Sequence, residues 1–431
     1  MSQYMRDFIN KLAFFFVFLD NLYLPLNLGF DFRLNYLIYF AFIIYYIFSY
    51  RKLRITVSVI VTTSIVVVAL FLVPLINGGG ISGYIKQIVL LGLNVLFSYL
   101  LLNAYSFNLE KILKDYFSII NILVLVVFVQ FASLMIGFHY GADFSYLGFE
   151  MGNFSFIQNR AQAWFQEPSF LVYAMMPALF VALARFFNIH KTISRFQALL
   201  ILIAFLLSVS SVGFIGLLIS LLIIVFGKFP ILKKPHYLAV LILLVPITSF
   251  FLYQMPDVKE RVDDSIELFF KEYPTTADIN KTNLSTYALY SNFRVTQKTF
   301  YTNPFWGTGL GSYEYDYDKY ITQVIPESPV RERYQLNKKD ANSLLFRLLA
   351  ETGLIGLFFF CLYLYNKRVR FNVVANGSGF LWAVSNGIFV LVLIRLLRQG
   401  HYTSLGFVLF LLLYYYLKNA IVENERDYKT F

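Results

Sequence analysis

The strongest constraint on this chain is the recurrence of apolar runs long enough to cross a lipid bilayer. A helix rises about 1.5 Å per residue, so a hydrocarbon layer about 30 Å thick takes roughly 20 mostly apolar residues. Candidate spans lie near Phe8–Leu26, Leu34–Tyr50, Ile55–Ile76, Tyr84–Leu102, Tyr116–Phe138, Ser169–Phe187, Gln197–Ser210, Gly213–Phe226, Tyr237–Tyr253, Ser343–Tyr365, Phe380–Leu397 and Leu405–Leu417. The seventh and eighth are short and adjoin each other. The chain is 58% hydrophobic and only 14% charged, against roughly 25% charged in soluble domains. No single globular core could hide that much apolar surface. The expected fold is therefore all-α and polytopic, with about 12 transmembrane helices.

Charge supplies an independent count. Arg51, Lys52 and Arg54 follow the second run, and Lys111 and Lys114 the fourth. Arg185, Lys191 and Arg195 follow the sixth, Lys228, Lys233 and Lys234 the eighth, and Lys367, Arg368 and Arg370 the tenth. The short connections between these carry few Lys or Arg. Basic loops face the cytoplasm, so an even number of spans with both termini cytoplasmic is expected. The net charge of +11 is then a topology signal, and no nucleic-acid partner is expected. The first run lacks a small-residue cleavage pattern and is expected to stay as an anchor. The single cysteine, Cys361, excludes a disulfide framework and a cysteine metal site within the chain.

Two outward segments interrupt the rhythm, near His139–Glu167 and Gln254–Ala341. The second is too long for a plain connection. It divides the chain into helices 1–9 over residues 1–253, a large outward loop with short helices over 254–341, and helices 10–12 with a cytoplasmic tail over 342–431. No internal repeat is visible, which speaks against repeat-built transporters.

Four constellations could carry chemistry. The first, Arg160 through Glu167, Pro168 and Ser169, precedes the sixth span. There Pro168 suits a first helical turn and Glu167 a helix N-terminus. The second is Arg294 followed by Asn303-Pro304-Phe305-Trp306-Gly307-Thr308-Gly309-Leu310-Gly311, whose glycines allow a tight backbone that can approach a ligand. It is neither a P-loop nor a dinucleotide fingerprint. The third is Asp340, Asn342 and Ser343 leading to Arg347, Glu351, Gly353 and Gly356. Arg347 and Glu351, four apart, can pair on one helix face, and the glycines suit close helix packing. The fourth is Arg395 and Arg398, three apart and expected on one face, near His401. An outward Arg pair opposes the positive-inside bias, and Arg suits bidentate phosphate binding. Asp316-Tyr317-Asp318 has the spacing of a metal-holding D-x-D but reads as a solvated acidic patch. His139, His190 and His236 lack ligand spacing, so no metal and no cofactor is expected.

In this order the pieces resemble the O-antigen polymerase and O-antigen ligase superfamily, the Wzy-type membrane glycosyltransferases. The matching residues are Arg160 with Glu167-Pro168, the Ser208, Ser210, Ser211 and Gly213 turn, Arg294 with Asn303-Pro304 and Gly307, Gly309 and Gly311, and Asn342-Ser343 through Glu351, Gly353 and Gly356. The resemblance implies a GT-C-like fold in the bacterial inner membrane. It implies undecaprenyl-diphosphate-linked oligosaccharide as substrate, membrane lipid as surroundings, and a chain-length regulator protein as partner. Ligases of the family commonly carry His where Asn342 stands, and Ser-Arg where this chain has Ser210-Ser211. These departures favour a polymerase of lipid-linked repeat units over a ligase. A flippase or other transporter would place polar residues in mid-span.

The chemistry gives the arginines a role. A sugar hydroxyl attacks an anomeric carbon and expels a lipid diphosphate, so cations at the leaving group lower the barrier. Arg160, Arg294, Arg395 and Arg398 are expected to bind the diphosphate in one outward pocket. Glu167, Asp340 and His401 are the candidates for a base.

Overall fold

The computed structural model describes residues 2–24, 32–50, 72–77, 80–152, 160–229, 253–254, 256–271, 274–327 and 335–429. Seven helical segments among these are long and apolar enough to cross a membrane: Ile81–Ala104, Leu109–Ile136, Pro168–Phe186, Ser211–Lys228, Leu344–Val374, Gly379–Leu397 and Ser404–Ile421. Leu34–Tyr50 and Arg195–Leu206 are shorter apolar helices. The chain is thus built as a polytopic membrane protein. The expected third and ninth spans fall almost wholly outside the described residues.

In chain order the principal helices are α1 (Gln3–Phe16), α2 (Leu34–Tyr50), α3 (Ile81–Ala104), α4 (Leu109–Ile136), α5 (Pro168–Phe186), α6 (Arg195–Leu206) and α7 (Ser211–Lys228). Then come α8 (Pro256–Phe270), α9 (Thr276–Lys281), α10 (Leu284–Thr302) and α11 (Tyr313–Val324), and finally α12 (Leu344–Lys367), α13 (Gly379–Leu397) and α14 (Phe407–Lys429). Local chemistry sets several boundaries. Asn108 caps α4 by accepting from the Lys111 N–H at 3.0 Å, and Gly137 ends it with φ +72°. Glu167 is the N-cap of α5 with Pro168 in its first turn. The expected seventh and eighth spans are two helices, because Val209 takes φ +43° between them. At that break the Leu207 carbonyl accepts from the Ala161 N–H at 3.0 Å, which ties the segment before α5 to the α6–α7 turn.

The first apolar run departs from expectation. The α-helix stops at Phe16 rather than continuing to Leu26. Asp20 explains the stop: it is buried, 2.6 Å from the Arg33 guanidinium, and accepts from Asn35 and the Leu405 N–H. Beyond it, Tyr23–Leu24 pairs antiparallel with Phe32–Arg33, the one strand pair in an otherwise helical fold among the described residues.

The core is centred on α5, buried on nearly every face and packed against α13, α6 and α7. α14 packs on α13 and α3, and α3 on α2. In the stretch between α8 and α12, Leu268, Ile279, Tyr287, Tyr290, Tyr313, Tyr317 and Ile321 build a second, smaller apolar cluster that reaches Ala350 near the start of α12.

Candidate active site

Where the upper ends of α3 and α12 meet the loop between α13 and α14 there is a cleft, lined by Arg33, Lys86, Gln87, Glu314, Lys339, Arg347, His401 and Tyr402 among others. Its centre is built from α12. Ser343 is the N-cap, its Oγ accepting from the Phe346 N–H and donating to the Leu396 carbonyl at 2.6 Å. Arg347 follows in the next turn. Its Nε donates to Glu351 Oε1 at 2.9 Å, its Nη2 to Gln87 Oε1 at 2.8 Å, and its Nη1 to the Gly400 carbonyl at 3.2 Å. The guanidinium lies 4.4 Å from the Tyr402 ring centroid, and the Tyr402 hydroxyl donates to the other Glu351 oxygen at 2.9 Å. Both ends of this ion pair are buried. A buried ion pair is tolerated only when further hydrogen bonds support it; here Gln87 and the Gly400 carbonyl engage the guanidinium and Tyr402 the carboxylate.

The glycine-rich turn holds that pair in place. Gly353 has φ +62° and ψ −161°, a break inside α12. The interrupted carbonyls of Ala350 and Glu351 accept from the Thr308 and Gly309 N–H groups, both at 2.9 Å. The freed N–H groups of Leu354 and Ile355 donate to Pro304 and Phe305 at 2.9 and 3.1 Å. The turn is therefore grafted onto the break, which corrects two sequence expectations. Gly353 breaks its helix instead of packing it against another. Gly309, at φ +110°, lets the backbone approach protein neighbours, Pro74 and the Glu351 carbonyl, rather than a ligand.

Asp316 corrects another. It is buried and accepts from Thr308 and Ser312, whereas Asp318 is exposed beside Lys338 at 3.3 Å. One faces the core and the other the surface, so they do not form a D-x-D chelate. Burial, aided by the nearby Glu351 charge and opposed by the Thr308 and Ser312 hydroxyls, pushes the Asp316 carboxyl up to about 7.

His401 lies in the cleft wall with Nε2 3.7 Å from Asp340 Oδ2. Burial, with Arg33, Arg347, Arg395 and Lys339 around it, pushes its pKa well below the ordinary imidazole value. Asp340 accepts from the Asn342 N–H at 3.1 Å, and burial raises its carboxyl above the usual range against the pull of Arg347 and Arg398.

The other expected site residues are spread around the cleft rather than gathered in it. Arg395 sits behind the wall, fully buried, donating to the carbonyls of His401 and Ser404 and to the Ser404 hydroxyl, with its guanidinium 4.3 Å from the Phe407 ring. Arg398 does not share its face. α13 ends at Leu397, so Arg398 is in extended backbone and reaches away to the Ser285 carbonyl at 3.2 Å. Glu167 is exposed at the start of α5 and accepts from Ser169 at 3.2 Å. Glu167, Asp340, Arg395 and Arg398 all lie within electrostatic reach of Tyr173, whose hydroxyl donates to the Arg398 carbonyl. Arg160 and Arg294 are half-buried, Arg294 beside Tyr290, and neither lines the cleft.

Sequence reasoning missed Arg33, Gln87 and Tyr402. A signal existed for two of them. Asp20 and Gln87 are polar residues within apolar runs, and such residues face a protein interior and a partner; Asp20 points to Arg33. Tyr402 offered none in a chain with 32 tyrosines.

A family model described as O-antigen ligase matches residues 196–361. The matched stretch runs from α6 through the Gly-rich turn to Arg347 and Glu351 and into the middle of α12. No curated protein matches the chain.

Proposed function

We propose that the chain is a GT-C-like glycosyltransferase that polymerises undecaprenyl-diphosphate-linked repeat units of a surface polysaccharide, working in the cleft beside Arg347. The observation that carries this reading is a cleft rimmed by Arg33, Lys86, Lys339 and Arg347 at the ends of membrane helices, of which Lys339 and Arg347 lie within the stretch that matches the O-antigen ligase model. A diphosphate on a lipid must lie at that level, and pre-oriented cations there lower the barrier to its departure. Asn342, standing where ligases carry His, favours polymerisation. The ligase alternative rests on the description of the matched family itself. A twelve-span layout with cytoplasmic termini in the inner membrane, an outward 254–341 segment and a chain-length regulator as partner belong to the same proposal.

His401 is the base this geometry favours. The acceptor hydroxyl attacks the anomeric carbon, the bond from that carbon to the diphosphate oxygen breaks with its electron pair, and the hydroxyl proton passes to His401. Asp340 lies 3.7 Å from the ring's Nε2, close enough to favour the charged ring that forms. In this scheme Arg395, Arg398, Arg160 and Arg294 shape the surrounding backbone and the approach of the glycan, and Glu167 starts α5.

Two measurements test this. Purified protein in vesicles, given lipid-linked repeat units alone, is expected to yield a ladder of multiples. A single transfer to a separate acceptor, with no ladder, would favour the ligase. The pH profile tests His401. Its neutral form is the active one, and its lowered pKa moves the acid limb of kcat/KM below 6.5. Bound diphosphate adds negative charge among the cations and raises the ring's proton affinity, so the acid limb of kcat should lie at higher pH than that of kcat/KM. Coincident limbs, or an unchanged profile in His401→Gln, would remove His401 from the mechanism.

A further inference from the structure

The turn grafted onto α12 lies at a depth that the sequence does not suggest. Two rulers fix it. Residues 354–367 of α12 are continuous helix and extend about 20 Å down to Lys367, Arg368 and Arg370, the charged edge of the span. From the other side, Ser343 is bonded to the Leu396 carbonyl at the upper end of α13, an unbroken helix of 19 residues that rises about 28 Å. Residues 344–352 then descend about 13 Å to the break. Against a hydrocarbon layer about 30 Å thick, Gly353 and the turn bonded to it sit about 10 Å inside the layer.

Irregular backbone survives at that depth only if its polar groups are satisfied by protein. Here they are. The carbonyls of Pro304 and Phe305 accept from Leu354 and Ile355, the N–H groups of Gly307, Thr308 and Gly309 donate to Asn303, Ala350 and Glu351, and the Gly307 carbonyl accepts from Asn77 Nδ2 at 2.6 Å. The side chains are the reverse of what an aqueous loop displays. Phe305 and Trp306 are each 60% exposed. Their neighbours Leu354 and Phe358 on α12, and Leu75 and Ile76 on the segment that meets the turn at Pro74 and Asn77, are exposed as well. Phe359 and Leu362, further along the same apolar span, are exposed too among the described residues, the face that a membrane helix turns to lipid.

We propose that residues 303–309 form a re-entrant turn seated in the bilayer, with Phe305 and Trp306 in contact with the hydrocarbon chains of the leaflet on the cleft side. The stretch between α8 and α12 is then not one aqueous segment: α10 brings the chain back to the membrane, and α11 carries it out again. The inference goes beyond the glycosyltransferase reading and needs only that α12 spans the bilayer.

Fluorescence tests it without an activity assay. Trp164 and Trp382 are buried, so the signal lost in Trp306→Phe belongs to one exposed indole. The full chain is reconstituted into phosphatidylcholine vesicles brominated at mid-chain. The Trp306-dependent intensity is expected to fall by most of its value, while aqueous iodide leaves it nearly intact. Quenching by iodide with none by bromine would overturn the proposal. So would stronger quenching by a headgroup-attached nitroxide than by mid-chain bromine, which would place Trp306 in an ordinary interfacial belt. Neither result touches the proposed reaction, which is read by the product ladder.

Discussion

Arg347→Ala is expected to abolish glycan transfer, with a loss of at least about 10²–10³ in rate, the usual cost of deleting one pre-oriented donor to developing negative charge. The same change strands Glu351 as a buried, unpaired carboxylate, which typically costs about 3–5 kcal/mol, so lost activity in this variant alone would be ambiguous. The double variant Arg347→Met with Glu351→Leu separates the effects. Removing both charges for apolar groups of similar size is near neutral for a buried pair, so the double variant should insert and elute as well as wild type yet make no product. Arg347→Lys is expected to lose most activity too, because an ammonium cannot reach Glu351, Gln87 and the Gly400 carbonyl in one plane as the guanidinium does. A product ladder from the stable double variant would show that Arg347 is structural and end its assignment to the leaving group.

The second large effect is expected at Gly353, an uncharged residue two positions beyond Glu351. Its φ of +62° with ψ −161° belongs to a region open essentially to glycine alone, at a cost of about 1–3 kcal/mol for another residue. A Cβ would also lie 2.4 Å from the Phe305 carbonyl carbon and oxygen. Gly353→Ala should therefore push the 303–309 turn off the break and release the bonds that hold the Glu351 backbone. The expected outcome is a sharp fall in detergent-stable protein, measured by fluorescence size-exclusion after heating, with activity lost in what survives. Gly92→Ala is the control, since a Cβ there meets nothing within 4 Å and Ala favours a helix interior over Gly by about 0.5–1 kcal/mol. Equal behaviour of the two variants would mean that the break is not needed.

The membrane helices were legible because hydropathy over twenty residues is a sum, and a sum tolerates local exceptions. The exceptions were where reading failed. Asp20 sits in a run that passes on average, yet one buried carboxylate ends the helix there and recruits Arg33. The Arg347–Glu351 pair was legible because its geometry is local, set by helical spacing alone. Its completion by Gln87, 260 positions away, and by Tyr402 was not, because nothing in the sequence marks that contact. Arg395 and Arg398 show how a boundary decides a role. Their shared face assumed a helix running through both, and the helix stops between them, so one guanidinium turns inward and the other reaches α10. The Gly-rich turn was recognised as unusual, but the sequence could not say that its close approach is to a broken helix rather than to a ligand.

The spacing of Arg347 and Glu351 also bears on how this protein is made. A lone arginine or a lone acid in a segment passing into lipid from the translocon raises the insertion cost by up to about 2.5–3.5 kcal/mol at mid-helix. Because the two are one turn apart on the same helix, they can neutralise each other as soon as α12 winds, before α3 supplies Gln87 and before Tyr402 has been translated. The segment can thus enter the bilayer as a neutral unit and exchange part of its self-pairing for the tertiary bonds later. A chain with the acid moved to a different helix would keep the same net charge and the same final contacts, yet would have to pass its arginine into lipid alone.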